Sequence, residues 1–373
     1  MSVVHDRGKP PQIYDRSTTA GIMWTSSLVL APAAAWGVFR YGVRAALVIA
    51  VSLVAALVAE AASAAVLRRK GLRDGHAVLV GLLIAMSMPP TVPLYVPVVA
   101  VSFALVVVKW SFGGLGSYWM NPAAAGWVVA YFSFPVAFSA QADAVAGASY
   151  VTAGSPAGAA VTAGSPLALA LSRGALTTPL GERVTDWLNA NVLSFIGVDM
   201  PDGYVDLFLG LTPGAIGEGA AFLLLAGTII LFGRRIIRWE IVVSLFVAYA
   251  LTIRVLGGVP LGVGLFEGDV LFHLFSGGFV LALFFVAPEM GSAPYTPLGM
   301  VLFGVAIGLT AAIFRLFGSV PEGIAFAIVL VNVFGPMMNR FTQPRRFGTG
   351  RQAGVRRQAG IRRTTPSREA SHG

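Results

Sequence analysis

The chain contains no cysteine. That excludes disulfides, thiolate zinc sites and Cys-ligated iron–sulfur clusters. Histidine is nearly as scarce, with four in 373 residues, which leaves little material for a haem or a metal centre. Any redox cofactor would have to be organic. Charge is short as well: 12% of residues are charged against 56% hydrophobic, where soluble domains carry about 25% charge. With a mean hydropathy of +0.77, such a chain cannot cover its surface with polar groups, and lipid is its expected solvent. No P-loop, dinucleotide fingerprint, catalytic triad or metal motif is present. The start, Met1 to Arg16, is polar, and no small-residue cleavage site follows the first apolar run, so a cleavable signal peptide is not expected.

What the chain has in abundance is apolar runs. Ten lie near 19–39, 44–66, 76–88, 93–110, 121–135, 213–233, 239–256, 271–287, 297–316 and 322–338. They predict an all-α polytopic membrane protein of about ten transmembrane helices. Several runs are short and carry proline at their ends, as at Met88-Pro89-Pro90, Asn121-Pro122 and Ala287-Pro288. Such segments suggest broken helices that line a site.

The halves resemble each other. Val51-Ser52-Leu53 matches Val243-Ser244-Leu245, and His76 and His273 each open an apolar run. Phe112-Gly113 and Phe317-Gly318 each precede a short run. The offset is about 200 residues throughout. Five spans per half would make the second half enter the membrane from the opposite side, an inverted repeat. The expected division is a cytoplasmic start over 1–17, a first five-helix repeat over 18–135, an extracytoplasmic segment over 136–212, a second repeat over 213–341 and a basic tail over 342–373.

The net charge of +9 tempts a nucleic-acid reading, but nine arginines fall between Arg340 and Arg368. A basic tail beside a last span reads as a cytoplasmic, lipid-facing topology signal, not a nucleic-acid arm. Arg68-Arg69-Lys70 and Arg234-Arg235 would face the same side, and the acidic residues of 136–212 the other. Both termini are then cytoplasmic, with Arg40, Arg44 and Arg315 as misfits on the outer side.

Several motifs together resemble the RnfD/NqrB family: Arg73-Asp74-Gly75-His76, Phe112-Gly113-Gly114-Leu115-Gly116 before Asn121-Pro122-Ala123, Gly214-Ala215-Ile216-Gly217-Glu218, His273-Leu274-Phe275-Ser276-Gly277-Gly278, Pro321-Glu322-Gly323 before Asn332, and Arg340-Phe341-Thr342-Gln343-Pro344. Their order is the family's over about residues 10–347. The resemblance implies a subunit of a redox-driven ion pump in the bacterial cytoplasmic (inner) membrane, working with the other subunits of the complex. It implies FMN joined through its phosphate to a hydroxyl in a motif like D-x-x-[ST]-G-A-T-P-L, made by a flavin transferase, and room for riboflavin or a second flavin. NAD binding and hydride chemistry would belong to partner subunits.

Here serine stands where that motif has threonine. Ser165, in Val161-Thr162-Ala163-Gly164-Ser165-Pro166-Leu167, is the first choice for the FMN ester; Ser149, after Asp143, is the second, and Thr178 a weaker third. Without the family, the same Ala/Gly/Ser/Thr stretch reads as flexible linker. Asn121 is a candidate for a second flavin, an ion path or a plain helix cap; the family's further Asn three residues earlier is Tyr118 here. Trp119 and Trp127 read as interfacial belt aromatics more readily than as ring-stacking partners. Glu218 and Glu322 are the ion-path candidates, and Glu60, Asp74 and Glu289 are the other carboxylates in or beside apolar runs, functional or simply interfacial. His76 and His273 read as helix-start residues or as proton carriers. Two rival readings stand beside the pump: a cofactor-free, urea-transporter-like channel or transporter, and a flavin-free scaffold subunit.

Overall fold

The computed structural model describes residues 18–68, 74–139, 178–191, 193–195, 200, 203–211, 214–260, 262, 264–318 and 323–344. Regular structure in these residues is entirely helical. The first half contains α1 (Thr19–Tyr41), α2 (Val43–Val66), α3 (His76–Met86), α4 (Tyr95–Ser102) running on as a π-helix (Phe103–Trp110), α5 (Pro122–Ser133) and the short α6 (Pro135–Ser139). Two helices follow, α7 (Pro179–Asn191) and α8 (Tyr204–Leu209). The second half contains α9 (Ala221–Gly233), α10 (Trp239–Leu256), α11 (Val270–Phe275), α12 (Phe279–Leu281) running on as a second π-helix (Ala282–Val286), α13 (Pro297–Phe317), α14 (Gly323–Asn332) and α15 (Gly335–Thr342).

Each of the ten apolar runs contains helix, but they are not ten equal rods. Four helices, α1, α2, α10 and α13, are long and apolar enough to cross a membrane, and α14 with α15, bent by 54°, makes a fifth if the pair is one span. The protein is thus a multi-pass membrane protein. The others are short because the chain interrupts them. Pro89-Pro90 follows the end of α3, and Ser276-Gly277-Gly278 separates α11 from α12. Starts are set by caps: Thr18 accepts from the Gly21 amide at α1, Asn121 from Ala124 at α5 and Thr296 from Gly299 at α13.

A helix that stops inside apolar surroundings leaves carbonyls without partners. The end of α3 shows how they are satisfied. The Gly217 amide donates to Met86 O (2.7 Å), Ile216 to Met88 O (3.0 Å), and the Trp127 indole to Ser87 O (2.9 Å). The loop that opens the second half is thereby plugged into the broken helix of the first.

Contact order is similar in the two halves. In the first, α2 packs on α3 and α4, and α4 on α5; in the second, α10 packs on α11 and α13, and α13 on α14. Small residues permit the close approaches, as is usual where lipid supplies no hydrophobic drive between helices. A Cβ added at Gly81 would stand 2.9 Å from the Ala56 Cβ, and one at Gly308 would stand 2.5 Å from Leu245 O. The halves join where α1 meets α9 and where α5 meets α14.

Candidate functional site

The site forms where the first half meets the second, and its centre is the Glu289 carboxylate. Glu289 lies just beyond the second π-helix, whose wider turn re-aims the residues that follow it. One oxygen, Oε1, accepts from the Tyr118 hydroxyl and lies 3.4 Å from His76 Nε2. The other, Oε2, accepts from Asn121 Nδ2 (3.0 Å) and the Ser292 hydroxyl (3.2 Å). His76 Nε2 is also 3.0 Å from the Tyr118 oxygen. Three residues of the first half and one of the second thus hold this acid.

Behind it lies a second set of charges. Lys109, at the end of the first π-helix, donates to Glu60 Oε1 (2.7 Å) and to Asp74 Oδ2 (3.2 Å). Trp110 Nε1 donates to the other Glu60 oxygen (2.9 Å). Asp74 Oδ1 accepts from the His76 amide (3.1 Å) and so fixes the start of α3. Glu60, Lys109 and His76 are buried. Ion pairs this deep persist only when each remaining lone pair has a donor, and both Glu60 oxygens have one.

Tyr118 stands in the connection between the first π-helix and α5. Burial first, then the Glu289 charge and hydrogen bond, and then Asp74, hold its phenol well above the usual tyrosine range. It therefore stays a donor to Glu289. Not every group at the junction is paired. Among the described residues, His76 Nδ1 and both amide atoms of Asn332 are buried without a hydrogen-bond partner. Asn332 ends α14, three residues after Val329, which packs on the cluster containing Tyr118. Gly335, three residues later, is next to Ser292: an added Cβ would stand 3.7 Å from the Ser292 carbonyl.

The sequence-predicted residues fare differently. Asn121 is at the junction and does two jobs: Oδ1 caps α5, while Nδ2 holds Glu289 and the Val286 carbonyl (2.8 Å). Both ends of its amide are engaged within the protein. Glu218 is half-buried and accepts from the Ala215 amide (2.9 Å), so it braces the loop that plugs α3. Ser165, Ser149 and Glu322 lie outside the described residues, as do the start over 1–17 and the tail beyond 344. The Thr178 hydroxyl donates to Asp206 and accepts from the Gly181 amide (3.1 Å), a capping role at α7.

Two expectations are corrected. Trp127 is buried and hydrogen-bonded, not a belt residue. His273 is not a helix-start residue but the fourth residue of α11, which Asp269 caps. Glu60, open between an interfacial and a functional role, is fully buried and paired. Tyr118, which stands where the family has an asparagine, supplies a hydroxyl to Glu289. Two of the arginine misfits are explained as well. Arg40 donates to Leu211 O (2.6 Å), and Arg315 is buried against His273 and Ser276, so neither acts as a free topology signal. Sequence reasoning passed over Lys109, although a lone lysine inside an apolar run was the available signal.

An all-helical membrane protein with broken helices and a junction of buried, mutually paired ionisable groups has the make-up of an ion-translocating membrane component. The chain belongs to the NQR2, RnfD, RnfE family, whose sequence profile matches residues 7–348. It is 32% identical to the D subunit of the proton-translocating ferredoxin:NAD(+) oxidoreductase complex of Clostridium ljungdahlii, over 91% of this chain and 95% of that protein. It is equally identical (32%) to the D subunit of the Na(+)-translocating ferredoxin:NAD(+) oxidoreductase complex of Acetobacterium woodii, over 91% of this chain and 93% of that one. With the D subunit of the ion-translocating oxidoreductase complex of Stutzerimonas stutzeri the identity is 32%, over 89% and 93%.

Proposed function

We propose that the chain is the D-type membrane component of an Rnf/Nqr-type complex of the cytoplasmic membrane, passing electrons between partner subunits through bound flavin and coupling that to ion movement. The observation that carries the reading is the Glu289 carboxylate held jointly by both halves, in a chain that matches D subunits over nearly its full length. A carboxylate clamped across a junction feels any relative movement of the two halves, which is what coupling needs. The similar helix order and contacts of the halves support two inverted repeats, and the placing of the arginines in the sequence supports cytoplasmic termini.

The flavin proposed is FMN, esterified to Ser165, or failing that to Ser149, by a flavin transferase. A bound flavin supplies one- and two-electron chemistry; the chain's own residues position it and tune its surroundings. For a second, non-covalent flavin the junction offers a fit. The orphaned Asn332 amide presents a donor and an acceptor, the complement of an N–H beside a carbonyl on a ring edge. Asn121 is itself engaged by Glu289 and the Val286 carbonyl.

Relatives named for Na(+) and for proton translocation are equally identical to this chain. Overall identity thus does not choose the ion; the ion path proposed in this chain includes Glu218 and Glu322.

Flavin fluorescence of the denatured chain on a gel tests the reading. A fluorescent band lost in Ser165→Ala is expected. Loss in Ser149→Ala instead would move the ester. A dark band from cells that make the transferase would overturn the flavoprotein reading and favour the scaffold or channel alternatives.

A further inference from the structure

Within the second half, away from the junction, one buried charge is unused. Arg315, near the C-terminal end of α13, is 7% exposed. Its Nε donates to His273 Nδ1 (3.2 Å), and Nη2 donates to both the carbonyl and the hydroxyl of Ser276. All of these partners are neutral: the serine hydroxyl and carbonyl carry no charge, and an imidazole that accepts through Nδ1 is neutral. Among the described residues the ion pairs involve His76 and Lys109, and none involves Arg315. A guanidinium does not shed its proton. A buried cation held only by neutral groups is costly unless an anion joins it.

The geometry shows where that anion would come. Nη1 is the guanidinium nitrogen with no hydrogen bond to a described residue. It faces Gly277, which has φ +79, and a Cβ added there would stand 3.0 Å from it. Glycine both adopts this backbone and leaves the approach to Nη1 clear. The position along the helix matters too. Arg315 is three residues before the Gly318 cap of a 21-residue apolar helix, which puts it at the depth of lipid headgroups.

We propose that Arg315, Ser276 and Gly277 form an anion site that takes a phosphate group. Arginine's planar fork suits phosphate oxygens, and phosphate is the anion present at headgroup depth. Its source is a glycerophospholipid headgroup or a flavin nucleotide; the flavin source rests on the function proposed above, and the site itself does not.

The test uses the whole complex, purified in detergent from cells with and without the flavin transferase and then stripped of lipid. Thermal unfolding of this subunit is followed in inorganic phosphate and in chloride at matched ionic strength. The flavin-free wild type is expected to show a saturable upward shift in phosphate that Arg315→Gln lacks. Arg315→Lys, which keeps the charge and loses the fork, is expected to need about tenfold more phosphate. A shift confined to the transferase-free preparation assigns the flavin phosphate as occupant. A shift in both preparations, removed by added phosphatidylglycerol, assigns the lipid. An identical midpoint in phosphate and chloride for the stripped, flavin-free wild type, or a wild-type response from Arg315→Gln, would overturn the site. The gel fluorescence of Ser165→Ala is independent of this titration, so the two ideas fail separately.

Discussion

His76 and His273 match in sequence order, but His76 opens α3 whereas His273 is the fourth residue of α11, which Asp269 caps, and the charged groups that hold them differ. Around His76 stand three carboxylates, Glu60, Asp74 and Glu289, against one lysine. Around His273 stand Arg315, Ser276 and the Tyr249 hydroxyl, which donates to the His273 carbonyl (3.3 Å). The helix pairing is similar; the electrostatics are not. A repeated helix order thus does not fix where a short helix begins, and residues on neighbouring helices decide which charges stand beside each histidine. The serines make the same point. Ser52 donates to Gly81 O (2.7 Å) and ties α2 to α3, whereas Ser244 turns back to Glu240 O (2.6 Å) on its own helix.

The comparison breaks first at Glu289. Glu289→Gln keeps the side chain's shape and removes the charge that marks the acidic end. Ion uptake per electron by the reconstituted complex should be lost, with the subunit still assembled. Uptake at the wild-type ratio would mean that the junction is only structural.

Next comes the pair behind it. Glu60→Ala strands Lys109 with the partly exposed Asp74 as its remaining charge partner and should cost about 3–5 kcal/mol, read as a lowered unfolding midpoint in detergent. Glu60→Leu combined with Lys109→Met should recover most of that loss, because both charges leave together.

Tyr118→Phe removes one donor to Glu289 and should cost about 1–3 kcal/mol. It also carries a pH signature. The phenol's folded pKa lies above its unfolded value of 10.0, so the unfolded chain loses this proton first as pH rises. Stability from Tyr118 is complete below that value and falls above it. The phenylalanine variant should lack this part of the alkaline fall; an unchanged alkaline limb would show that Tyr118 does not contribute it.

The smallest effect is expected at Asn332. Its buried amide is unpartnered, so Asn332→Leu should be neutral or stabilising by about 1 kcal/mol in flavin-free protein. The same change should weaken retention of non-covalent flavin in the loaded complex, measured as flavin released on acid precipitation. Equal retention would remove Asn332 from the proposed second site.

Much of the fold was legible because its signals are local. Thr18 and Asn121 sit where caps belong, Pro89-Pro90 follows the end of α3, and His76 begins α3 as read. Legibility failed where a local pattern had two meanings. The run 271–287 reads as one span, but Ser276-Gly277-Gly278 divides it into α11 and α12, and the chain then enters a π-helix that no period announces. Glu60 stays open between an interfacial and a functional role in the sequence because nothing nearby names its partners, which lie 49 and 50 residues away.

Composition and periodicity determined that this chain is helical and lives in lipid, and the order of its motifs pointed to its family, since hydropathy and motif order are both read along the chain. Only tertiary structure decided which ionisable groups are buried and what neutralises each. Glu289 meets Asn121 across 168 residues and His76 across 213. A charge in a low-dielectric interior is stabilised by what lies within a few ångströms, and proximity of that kind between distant segments arises only when the two halves pack together.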